Sequence, residues 1–318
     1  MKMHAVELFV GAGGLGLGVS NARFKTAAVI DFNRYCCDTI RENQKRNFDP
    51  VSKWPLIETD IRKFDFRSLS ETIDFISGGP PCQPFSIGGN HKAQSDTRDM
   101  FPEAVRSVRE LTPRAFLFEN VKGLTRASFA NYFEYIRLQL TYPELIAQKD
   151  EDWSGHLSRL EKHHTQGKDR GLTYRVVTRV LNAANYGVPQ KRERVFFVGF
   201  RTDLGIEWNF PEGRFSHDAL LWDQTKGTYW ERHNITKKDR RHSNRSQSRI
   251  NKVLEPPNSI PWRTVRDALY DLPDPERFPT EARNFLNHRF QPGARIYAGH
   301  TGSPLDEPAK TLKAGVHG

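Results

Sequence analysis

Short apolar runs alternate with longer amphipathic stretches through the first two hundred residues. The apolar runs, at 5–10, 26–31, 56–59, 73–77, 114–118, 175–181 and 194–200, have strand length, and several are bounded by Gly, Pro or Asp. Helical spacing falls between them, as at 34–47 and 101–111. Strands alternating with helices predict an α/β domain built on a doubly wound, mostly parallel sheet. Residues 141–171 break this rhythm with a charged, weakly periodic insert, expected as a surface excursion. Beyond about residue 201 prolines, Asn/Ser clusters and basic runs replace the alternation. The chain is therefore expected to divide into residues 1–204 and a smaller, irregular region at 205–318.

Charge sharpens the picture of that second region. The chain has 48 basic and 38 acidic residues, a net charge of +10. Nine of the basic side chains lie between Lys226 and Lys252, among them Lys237, Lys238, Arg240 and Arg241, with Trp222, Tyr229 and Trp230 within or beside the run. A solvated basic loop and a polyanion-binding face both fit such a stretch. No apolar run is long enough to span a membrane. The opening MKMHAVELFVGAGG lacks the apolar core of a secretory signal, and three cysteines, two of them adjacent, suit a reducing cytoplasm better than a disulfide framework. No Cys/His spacing resembles a metal site, and His163 and His164 are expected in a solvated, charged loop.

Three stretches carry candidate chemistry. The first apolar run enters a loop in which Gly11, Gly13 and Gly16 satisfy G-x-G-x-x-G, a spacing that also serves plain strand–helix packing. Asp31 ends the next strand, where NAD and S-adenosylmethionine enzymes both bind a ribose. Phe9, ahead of the loop, offers a flat face to an adenine or a sulfonium, and Asp60 can accept from an adenine amino group. In the second stretch, GGPPCQPFS, two glycines let the backbone turn and two prolines stiffen it just ahead of Cys82, a way to display a nucleophile at a strand end. Third, Glu119 ends the apolar run in AFLFENV, where it can carry a proton or cap a helix, and Gln190, Arg192 and Arg194 alternate along an extended segment, as a binding face or as a salt-bridge ladder.

GGPPCQPFS, ENVKG and YGVPQKRERVFFVGFR, in that order behind the glycine loop, resemble the cytosine-C5 DNA methyltransferase family of bacterial restriction-modification systems, over residues 4–201. The resemblance implies S-adenosyl-L-methionine as cofactor, double-stranded DNA as partner and a cytoplasmic, bacterial setting. It implies that the Cys82 thiolate adds to C6 of a flipped-out cytosine, that Glu119 donates to N3, and that Arg194 meets the O2 edge while Arg192 orders the loop and the phosphate backbone. Phe9, Gly11, Gly13, Asp31, Phe32, Asp60, Ile61 and Phe101 would line the cofactor pocket. Ser86, Arg98 and Gln190 would touch DNA, and Lys237, Lys238, Arg240 and Arg241 would belong to its recognition region.

The pattern departs from the family near its C-terminal segments. The Arg-Glu-x-x-Arg-x-Gln-x-Phe-Pro and Gly-Asn-x-Val-Pro segments are not found, and residues 264–269 resemble the former only superficially. The expectation is a second polypeptide that supplies them, or a truncated chain. Two other readings stand beside the leading one: a non-catalytic DNA-binding or regulatory subunit, and a tRNA cytosine-C5 methyltransferase.

Overall fold

The computed structural model describes residues 2–81, 99–167, 171–240, 255–292 and 302–311. Cys82, Ser86, Arg98 and Arg241 lie outside them. The chain forms two compact units, one of residues 1–180 and 194–210, the other of residues 181–193 and 211–318.

The first unit is built on strands β1 (His4–Leu8), β2 (Lys25–Asp31), β3 (Leu56–Glu58), β4 (Phe75–Gly78), β5 (Ala115–Val121) and β6 (Tyr174–Asn182), then, after the short β7 (Gln190–Lys191), β8 (Glu193–Arg201). The seven-stranded order is β3-β2-β1-β4-β5-β8-β6. Neighbours from β3 to β5 run parallel, and β8 lies antiparallel to β5. All seven strands expected from the apolar runs are present, and the sheet is the mostly parallel one they predict. Strand order reverses between β1 and β4, so the crevice for a ligand opens at the carboxyl ends of those two strands. Both chemistry-bearing loops, 9–16 and the described residues 78–81, leave the sheet there.

Local sequence explains the crevice. Phe9 takes φ 55° and ends β1. Gly13 takes φ 91° as the N-cap of helix α1 (Gly14–Asn21). A Cβ on Gly13 would come within 2.9 Å of the Trp54 ring, and one on Gly16 within 3.1 Å. These two glycines thus seat α1 against Trp54, whose Nε1 donates to Ser20 Oγ at 3.1 Å. Gly13→Ala combines a left-handed backbone with this contact and is expected to destabilise the protein by about 2 kcal/mol or more, measurable by urea unfolding.

Helices α2 (Arg34–Lys45), α3 (Phe101–Leu111), α4 (Ala130–Thr141) and α5 (Trp153–Gln166) complete this unit. Asn33 caps α2 by accepting from the Tyr35 and Cys36 amides. The insert at 141–171 is more ordered than its composition predicts, because α5 packs on α4 through Leu138, Tyr142, Leu157 and Leu160. His163 and His164 are helical rather than in a loop, and both face Tyr142, whose hydroxyl lies 2.7 Å from His164 Nδ1.

Every residue of β1 after His4 is buried, including Glu7 at 4% exposure. Its register partner on β4, Ser77, is fully buried and donates to the Glu7 carboxylate. Burial pushes the Glu7 carboxyl up to about 7 from 4.5. The fold therefore favours the protonated form, a contribution fully present below about pH 4.5. It is lost as pH rises towards 7, at up to about 1.4 kcal/mol per pH unit. Glu7→Gln is expected to remove this slope, so the stability difference between variant and wild type in urea unfolding should grow in the variant's favour from pH 5 to pH 7.5.

The second unit has its own small core of Leu220, Tyr229 and Trp230, with Ile235 and Trp262 packed against it. The Tyr229 hydroxyl lies 3.0 Å from Thr264 Oγ1 and donates to Asp306 Oδ1, which also pairs with Arg266. Thr264 caps the short helix Val265–Leu269 in a reciprocal capping box with Asp267.

Candidate active site

Glu119 and Arg194 reach each other across the β5–β8 ladder. Arg194 stands opposite Val121, and Glu119 opposite Phe196, so the two side chains are diagonal neighbours on one face. Arg194 Nε lies 2.8 Å from Glu119 Oε1, and both side chains remain partly open to solvent. Glu119 also borders the GGPP loop, since a Cβ on Gly79 would lie 3.7 Å from Glu119 Oε2.

The loop ahead of Cys82 is fixed along its length. Buried Asn120 donates from Nδ2 to the Pro80 carbonyl at 2.9 Å. The Met100 amide donates to the Pro81 carbonyl at 3.0 Å, joining the two described ends that flank residues 82–98. Asp99 accepts from the Phe101 amide at 3.1 Å and from the Tyr132 hydroxyl. The chain thus enters and leaves the 82–98 segment at one anchored point, beside Glu119.

On the other side of Pro81 a cleft of about 400 Å³ is lined by Phe9, Ile30, Asp31, Phe32, Thr59, Asp60, Ile61, Arg62, Pro81 and Met100. Its walls are mostly apolar, and Phe32 presents an exposed ring. Asp31 holds the glycine loop: Oδ2 accepts from the Gly11 amide and Oδ1 from the Asn33 amide, each at 2.8 Å. Each oxygen keeps further acceptor capacity. Asp60 is gripped by Arg62, whose Nε donates to Oδ1 at 2.9 Å, and this guanidinium holds the carboxyl below its usual range.

Of the eight residues expected around a cofactor, Phe9, Asp31, Phe32, Asp60 and Ile61 line the cleft, and Gly11 and Gly13 lie in the loop at its edge. Phe101 is fully buried and packs edge-on against Phe197, while its neighbour Met100 faces the cleft. Thr59 and Arg62 were not singled out from the sequence, although both flank Asp60.

The extended run expected to align Gln190, Arg192 and Arg194 is interrupted. Residues 190–191 form β7, paired with Ala309–Lys310, and the Arg192 carbonyl accepts from the Ala183 amide. Gln190 and Arg192 thus belong to the second unit and Arg194 to the first. In the basic stretch, Lys237 and Lys238 are exposed on a 3₁₀ turn. Arg240 is engaged, pairing with Glu231 at 2.8 Å and lying 6.0 Å from the Trp230 ring centre. Tyr229 and Trp230, at 0% and 2% exposure, are core residues rather than a stacking surface for bases.

Comparison with known proteins identifies the family. Residues 3–142 and 159–283 match the family model described as C-5 cytosine-specific DNA methylase. The chain is 36% identical over 220 residues to the Type II methyltransferase M.AquIA of Picosynechococcus sp., across 67% of this chain and 77% of that one. It is 31% identical over 235 residues to the Type II methyltransferase M.NgoMIV of Neisseria gonorrhoeae, across 73% of this chain and 64% of that one. A crystal structure described as a DNA modification methyltransferase encoded within an E. coli prophage superposes on 86% of this chain and 56% of that one, with a TM-score of 0.50 at 22% identity, a likeness of fold. The chain belongs to the C-5 cytosine-specific DNA methylase family, enzymes whose methyl donor is S-adenosyl-L-methionine.

Proposed function

We propose that this chain transfers a methyl group from S-adenosylmethionine to C5 of a cytosine flipped out of double-stranded DNA, through a transient bond between Cys82 and C6, as the modification arm of a restriction-modification system. The observation that carries the proposal is the Glu119–Arg194 pair, 2.8 Å apart, bordering the Gly79–Pro81 segment that leads directly into Cys82. Pro81 also forms part of the cleft wall, so donor cleft and acid–base pair meet at one loop.

The chemistry calls for these groups. C5 of cytosine is a weak nucleophile within an aromatic ring, and C6 is out of reach in a stacked duplex. Addition of the Cys82 thiolate to C6 breaks the aromaticity and makes C5 an enamine carbon. Glu119 delivers a proton to N3 and neutralises the charge that would otherwise build on the ring. Arg194, which pairs with Glu119, would meet the O2 edge with its guanidinium. S-adenosylmethionine supplies the methyl as an electrophile on a sulfonium. Loss of the C5 proton, return of the N3 proton and expulsion of the thiolate then restore the ring.

The cleft fits this donor. The rings of Phe9 and Phe32 suit a flat adenine and a sulfonium, and Asp31 retains acceptor capacity for ribose hydroxyls. Exposed Lys237 and Lys238 supply positive charge for phosphates from the second unit. Bisulfite sequencing of DNA from cells expressing the chain, alone and with its neighbouring gene, tests the proposal. Protected cytosines at one recurring sequence are expected, and full conversion in both cases contradicts it.

A further inference from the structure

The chemistry above leaves the insert at 141–171 without a part, and residues 143–158 fall between the two stretches that match the family model. One face of its helix nevertheless reaches the anchor of the 82–98 segment. On α4, Tyr132 and Tyr135 are three residues apart and so share a face. On α5, Trp153 and His156 do the same, and the two faces meet. The Trp153 ring centre lies 6.2 Å from that of Tyr132, edge-on at 78°, and 6.0 Å from that of Tyr135. His156, at 2% exposure, has Nδ1 2.9 Å from the Tyr135 hydroxyl and Nε2 2.8 Å from the Leu145 carbonyl. A carbonyl only accepts, so Nε2 carries the hydrogen and Nδ1 accepts from Tyr135. Both ring nitrogens thus hold the insert to α4. At the other end of this contact, buried Tyr132 donates its hydroxyl to Asp99 Oδ2, and Asp99 Oδ1 accepts from the Phe101 amide at 3.1 Å.

We propose that Tyr132 is a positioning residue, held in place by Trp153 of the insert, and that through Asp99 it fixes the point where residues 82–98 rejoin the fold beside Pro81. The Tyr132 ring belongs to the main core, whereas its hydroxyl, the one part that phenylalanine lacks, engages Asp99. Without that donor Asp99 loses a contact that holds it at the start of α3. Its neighbour there is Met100, whose amide closes the segment onto the Pro81 carbonyl at 3.0 Å. Trp153 acts one step further out, because its packing sets how the Tyr132 ring lies. Phenylalanine at position 153 still offers an aromatic edge, and alanine leaves a gap. The effect on rate rests on the proposed function, since it needs Cys82 as the nucleophile, but the effect on the anchor is measurable without it.

The test compares wild type, Tyr132→Phe, Trp153→Ala, Trp153→Phe and the double variant Tyr132→Phe/Trp153→Ala as full-length chains. Hydrogen–deuterium exchange of peptides spanning residues 99–104 is read without cofactor or DNA, and kcat is measured on DNA from a host lacking cytosine methylation. Tyr132→Phe and Trp153→Ala are each expected to speed exchange by about fivefold or more and to lower kcat by about tenfold. Trp153→Phe is expected within about threefold of wild type on both measures. The double variant should match Tyr132→Phe within about threefold, because both changes act through one hydroxyl. Losses that multiply in the double variant overturn the proposal, as does unchanged exchange or unchanged kcat in Tyr132→Phe, which also decides the matter if Trp153→Ala does not fold. If exchange responds as expected but wild type transfers no methyl group to DNA, the anchor stands and the proposed function fails.

Discussion

Cys82→Ser is expected to lower methyl incorporation into DNA by about a thousandfold or more, with S-adenosylmethionine binding within about threefold of wild type. A serine hydroxyl ionises far less readily than a thiol and is a poorer nucleophile towards C6, so the step that activates C5 is lost. Among the described residues the cleft is lined by Phe9, Asp31, Pro81 and Met100 with others, and its walls are held by Asp31 and the Pro81–Met100 hydrogen bond, whose groups the substitution does not change. Tritiated-methyl transfer to DNA, set beside calorimetric binding of the cofactor, measures both halves. A variant that methylates normally removes Cys82 from the mechanism.

Glu119→Gln carries the second large effect, a fall in kcat of about 10²- to 10⁴-fold, the usual worth of a positioned proton donor. Glutamine keeps the length and one oxygen for Arg194 Nε, so the β5–β8 face should remain assembled. What it removes is a proton that can be given to N3 and taken back. The substitution should therefore act on kcat with little change in KM for the cofactor. Glu119→Ala differs in kind, since it also removes the ion pair with Arg194, and weaker DNA binding is expected to accompany the loss of rate. Steady-state kinetics of both variants on unmethylated DNA separate the two contributions.

Much of this was legible in the sequence because the signals were local. Seven apolar runs bounded by turn residues located the strands, and the order of the glycine loop, GGPPC and ENV placed three loops at the carboxyl edge of one sheet. What escaped depends on tertiary partners. Gly13 and Gly16 match a dinucleotide pattern, but their lack of side chains is required by Trp54, forty residues away in the chain. Glu7 reads as one polar interruption in a strand until its register partner on β4, Ser77, is seen to donate to it. Helix α5 has few apolar positions, and only its contact with α4 shows that Leu157 and Leu160 suffice to seat it. The alternation of Gln190, Arg192 and Arg194 suggested one continuous face, whereas pairing of residues 190–191 with 309–310 draws the first two into the other unit. Aromatic residues beside a basic run have the composition of a nucleic-acid surface, yet Tyr229 and Trp230 are taken up by the second unit's own core.

The sulfur–carbon bond is the step on which the account depends, and fluorine at C5 can freeze it, because the C5 proton whose loss releases the thiolate is no longer there. Pooled DNA fragments substituted with 5-fluorocytosine, incubated with the protein and S-adenosylmethionine, should yield a denaturation-resistant protein–DNA band that disappears in Cys82→Ser. Methyl transfer into ordinary DNA without any such band from the fluorinated pool would contradict the account.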